Sequence, residues 1–86
     1  MTKHDLFGLA DGLRRTADNA IKNRHGALVA EAIARQATES LVRMARGLSA
    51  SDPALLRLDV VPGITWSEIR TIADAVCQFA SRNGNS

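Results

Sequence analysis

Aromatic side chains are scarce in this chain: they make up 3% of its 86 residues, and tyrosine is absent. Because β-strands favour aromatic and β-branched side chains, this scarcity argues against a β-sandwich and favours packed helices. The single cysteine, Cys77, excludes both an intramolecular disulfide and a cysteine-rich zinc site. This cysteine usage suits a reducing compartment, and we predict a cytoplasmic protein.

Long apolar runs are also missing. No stretch approaches the ~18 uninterrupted apolar residues that a membrane-spanning helix needs, and residues 1–8 lack the apolar run of a signal peptide. Hydrophobic residues make up 45% of the chain and charged residues 23%, as in ordinary globular domains, which argues against disorder. A chain of this length forms a single domain.

Apolar residues recur at three- and four-residue spacing in three segments, which predicts three amphipathic helices. The predicted helices cover about residues 3–23, 27–46 and 66–82, and the connector 48–63 is expected to contain a short helix over about residues 53–58. The sequence therefore predicts an all-α protein, a small three-helix bundle with an extra helical turn in the connector between the second and third helices.

Local signals set the predicted helix ends. Thr2 is expected to cap the first helix, and Thr65 with Glu68 has the spacing of a capping box for the last one. Gly47 is expected to end the second helix. Alternating residues at 56–61 leave a strand as an alternative to helix or loop there, but a lone strand would need a second chain to satisfy its backbone.

The apolar spacing also predicts which helix faces point inward. On the first helix the inward face comprises Leu6, Leu9, Leu13, Ala17, Ala20 and Ile21. On the second helix it comprises Val29, Ile33, Ala37, Leu41, Met44 and Leu48. Phe7, Leu28 and Val42 are then left outside the bundle. Because the core of so short a chain is small and these apolar side chains are left outside it, we predict a homodimer, with a stable three-helix monomer as the alternative.

Gly8 and Gly12 lie four residues apart within the first predicted helix, and each costs about 1 kcal/mol relative to alanine there. One interpretation is a smooth groove that another helix approaches closely; the alternative is simply a marginal helix. The predicted protein-interface residues are Phe7, Gly8, Gly12, Leu28 and Val42.

The chain has eleven basic and nine acidic residues, a net charge of +2, and its basic residues concentrate in one region. The cluster comprises Arg14, Arg15, Lys22, Arg24, Arg35, Arg43 and Arg46. Such a surface is able to bind nucleic-acid phosphates, but it contains no aromatic residue for stacking on bases. Nucleic-acid binding is therefore kept as the alternative function.

Catalytic patterns are missing from the sequence. His4 and His25 are separated by the length of the first helix, about 30 Å, so they cannot share a metal within one chain. Cys77 lies near the end of a predicted helix, where the helix dipole does not activate a thiol. We predict no enzyme activity, cofactor or metal. The sequence favours a non-enzymatic protein-interaction module that regulates, inhibits or adapts a larger protein, whose identity it does not give.

Overall fold

The computed structural model describes residues 2–23, 28–48 and 53–83 of the chain. They form three long helices and one single-turn helix: α1 (Lys3–Asn23), α2 (Leu28–Leu48), α3 (Pro53–Leu56) and α4 (Trp66–Asn83). No strand occurs in these residues, so the prediction of an all-α bundle is confirmed. The segment 58–61, where a strand was the alternative, has irregular backbone.

Side-chain caps begin α1 and α4. The Asp5 amide donates to Thr2 Oγ1 at 3.2 Å, and the Thr2 amide donates to Asp5 Oδ2 at 3.3 Å. At the start of α4 the Glu68 amide donates to Thr65 Oγ1 at 3.4 Å, and the Thr65 amide donates back to Glu68 Oε1 at 3.3 Å. Both reciprocal pairs satisfy amides that the first helical turn leaves without an intrahelical partner.

The predicted ends of the connector helix and of α2 differ from the structure. The connector helix, predicted to about residue 58, ends at Leu56. α2 continues through Gly47 to Leu48, because glycine weakens a helix interior without forbidding it. The predicted turn at 23–26 and the predicted cap at Ser51 and Asp52 lie outside the described residues.

The core forms where α1 and α4 pack together and α2 packs against both of them. Alanines at the contact, such as Ala10 and Ala17 of α1 and Ala73 of α4, are fully buried, and small side chains let helix axes approach closely. The larger buried residues on these three helices are Leu6, Leu41, Val42, Ile69, Ile72, Val76 and Phe79.

The inward face of α2 differs from the predicted one. Val42, expected on the outside, is only 4% exposed and packs in the core with Ile64 and Ile69. Ile33, expected in the core, is 61% exposed. The physical reason is that α2 packs against the connector as well as against α4, which rotates its buried side toward Val42.

Two arginines of α2 bind backbone carbonyls of α3 and of the segment between α3 and α4. Arg35 Nε donates to the carbonyl oxygen of Ile64 at 2.9 Å. Arg46 Nε donates to the carbonyl of Leu55 at 3.3 Å, and its Nη2 donates to the carbonyl of Leu58. These bonds hold the connector along the side of α2 that carries Val42.

Candidate functional site

An open apolar surface lies between α1 and α2, on the side of the bundle away from the connector. We call it the α1–α2 face and define it by six residues: Leu9, Leu13, Ile33, Ala37, Ser40 and Met44. Five of them, with Leu41 as part of the floor, line a shallow cavity of about 180 Å³. Ile33 lies one helical turn before Ala37, so it extends the same face along α2.

The face exposes large apolar side chains to solvent. Leu9 is 50% exposed and Ile33 is 61% exposed, although the sequence pattern placed both in the core. Ala37 and Ser40 are small and exposed, so they leave the middle of the face open. Apolar side chains gathered on one accessible surface mark an interaction site more often than isolated ones do.

No charged residue belongs to the α1–α2 face. The cavity on it is lined by apolar residues and the Ser40 hydroxyl, whereas three other cavities in the described part of the chain are lined partly by arginine and carboxylate side chains. The nearby Arg43 on α2 pairs with Glu39 at 3.1 Å. The face is therefore suited to an apolar partner surface.

The predicted interface residues are not brought together on one surface. Phe7 is 38% exposed beside a second groove of about 440 Å³ between α1 and α4, where Arg14 and Asp74 also lie. Gly8 and Gly12 are exposed, and a Cβ atom built on either one meets no described atom within 4 Å.

The structure excludes one further predicted interface residue and leaves another untested. Val42 is buried in the core and offers no docking surface, which corrects that prediction. Leu28 is the first residue of α2, and its side chain lies outside the described part of the structure.

Sequence reasoning missed Leu9, Ile33 and Ala37 as surface residues, whereas Met44 is partly buried against the core as predicted. Their spacing is that of an apolar helix face, and such a pattern does not say whether the face meets this chain or another one. The available signal was the pair of competing apolar faces on α2, of which only one fits inside the bundle.

The described residues of the basic cluster are engaged with partners inside the chain. Arg14 pairs with Asp11 at 2.5 Å and with Asp74 at 3.3 Å, and Arg15 pairs with the same Asp11 at 3.0 Å. The remaining contacts are Lys22 with Asp18 at 3.7 Å, Arg35 with Glu31 at 2.5 Å, Arg43 with Glu39 at 3.1 Å, and Arg46 with two connector carbonyls. Arg24 lies outside the described residues. Neighbouring carboxylates lower the positive potential that a phosphate would meet.

Contacts in the groove between α1 and α4 shift the pKa values of Arg14 and Cys77. Hydrogen bonds to Asp11 and Asp74 raise the pKa of Arg14. Burial raises the pKa of the Cys77 thiol, and the positive charge of Arg14 opposes that shift only in part. A buried thiol with a raised pKa is a weak nucleophile, so Cys77 acts here as a packing residue.

Among the described side chains, no group of three or more His, Cys, Asp or Glu residues is placed to hold a metal ion. His4 is exposed, and His25 lies outside the described residues. None of the helices, as far as the structure describes them, combines the length and apolar character needed to cross a membrane. No protein family matches the sequence, and comparisons with curated proteins and with solved structures give no match either.

Proposed function

We propose that this chain is a non-enzymatic protein-interaction module that regulates, inhibits or adapts a larger protein by docking its α1–α2 face against it. The observation that carries the proposal is the joint exposure of Leu9 and Ile33 on a face without charge. Burying such side chains in a partner gains ~25 cal/mol per Å² of apolar surface removed from water.

The shape of the face favours a helical partner element. Large side chains stand at its two ends, Leu9 and Met44 at one and Ile33 at the other, while Ala37 and Ser40 keep its centre low. A helix laid between such ridges packs its own apolar side chains into the central depression, which is the common helix-in-groove mode of recognition.

Nucleic-acid binding remains the alternative prediction, and the ion pairs argue against it. Arg14, Arg15, Lys22 and Arg43 each contact a carboxylate. Displacing these carboxylates in favour of phosphate would offset part of the affinity gained from releasing counterions. Docking of an apolar partner on the α1–α2 face does not require any of these ion pairs to be broken.

Affinity capture from the native host with matched variants tests the proposal. The full chain is compared with Ile33→Glu, on the face, and with Leu56→Glu, an equally exposed apolar residue (57%) in α3 and outside the face. We expect one larger protein to be retained by the wild type and by Leu56→Glu, and to be lost with Ile33→Glu. Equal retention by all three chains, or retention of nucleic acid in place of protein, would overturn the proposal.

A further inference from the structure

We draw no further inference here: the strongest candidate, the open groove of about 440 Å³ between α1 and α4 beside Phe7 and Cys77, carries nothing because its Arg14 is already paired with carboxylates of this chain and nothing in the structure shows what covers it.

Discussion

The Nε atom of Arg35 in α2 donates a 2.9 Å hydrogen bond to the backbone carbonyl oxygen of Ile64, 29 residues further along the chain. The same guanidinium contacts Glu31 at 2.5 Å, one helical turn earlier. Arg35 therefore joins the middle of α2 to the residue that precedes the cap of α4. Because that bond holds the connector beside Val42, it helps to decide which side of α2 is buried.

Replacing Arg35 by methionine keeps much of the side-chain volume and removes the bond to Ile64. We expect the free energy of unfolding to fall by about 1.5–3 kcal/mol, the usual effect of losing a hydrogen bond from a charged donor. Arg43→Met is the control, since Arg43 is exposed and its ion-pair partner among the described residues is Glu39; its expected loss is about 0.5 kcal/mol or less. Urea unfolding measures both, and equal losses would contradict the role given to Arg35.

The corrected faces of α2 predict opposite outcomes for two shortened side chains. Val42→Ala is expected to lower the free energy of unfolding by about 1–2 kcal/mol, because Val42 is packed in the core. Ile33→Ala is expected to change it by less than about 0.5 kcal/mol, since Ile33 is exposed. Unfolding at about 1 µM chain keeps a second copy from contributing. A larger loss of unfolding free energy for Ile33→Ala than for Val42→Ala would instead support the inward face that the sequence pattern predicted.

The cap of α4 predicts a cost for losing one hydroxyl. Thr65→Ala removes the acceptor of the Glu68 amide, and we expect a loss of about 1 kcal/mol in unfolding free energy. Thr71→Ala, at an exposed position inside the same helix, removes a hydroxyl that donates back to the Ser67 carbonyl. Alanine is the better helix former at that position, so this control should be neutral or slightly stabilising. Equal thermal stability of Thr65→Ala and Thr71→Ala would show that the Thr65 side chain does not stabilise the start of α4.

Two glycines are expected to respond to alanine with opposite signs. Gly12 lies inside α1 with open space around an added Cβ, so Gly12→Ala should stabilise the protein by about 0.5–1 kcal/mol. Gly63 has a φ of +89°, a backbone conformation that strains any side chain, and Gly63→Ala should destabilise by about 1 kcal/mol. Denaturant unfolding of both variants checks the signs. Destabilisation by Gly12→Ala would indicate that a close contact exists at that surface.

The cap of α1 predicts a titration change. Hydrogen bonds from the backbone and side chain of Thr2 hold the pKa of Asp5 below its ordinary value of 3.8. The ionised carboxylate therefore stabilises the start of α1 above that pH, and its contribution is lost as the pH falls through the lowered pKa. Thr2→Ala should raise the pKa of Asp5 toward 3.8 in an NMR titration of the carboxyl carbon. An unchanged pKa would mean that the cap does not form in solution.

The helices could be predicted from the sequence because their signals are local. Thr2 and Thr65 each need only a residue three positions later to form a cap, and apolar spacing within a single segment is enough to indicate a helix. None of these signals depends on where another element lies in space.

Which side of α2 is buried could not be predicted in the same way. α2 carries apolar residues on both the Ile33 side and the Val42 side, so spacing alone allows either side to be buried. The choice depends on Arg35 and Arg46, which bind connector carbonyls between nine and 29 residues away. Such bonds have no signature in local spacing, and the exposed α1–α2 face was missed for that reason.

Site-specific photocrosslinking in the native host tests most directly whether the α1–α2 face binds protein. A photoreactive amino acid replaces Ala37 at the centre of the face or, as the control, Thr71 on the exposed side of α4. We expect crosslinked protein from position 37 at a yield about tenfold or more above that from position 71, with either a larger protein or a second copy attached. Equal yields from the two positions would contradict protein binding by this face.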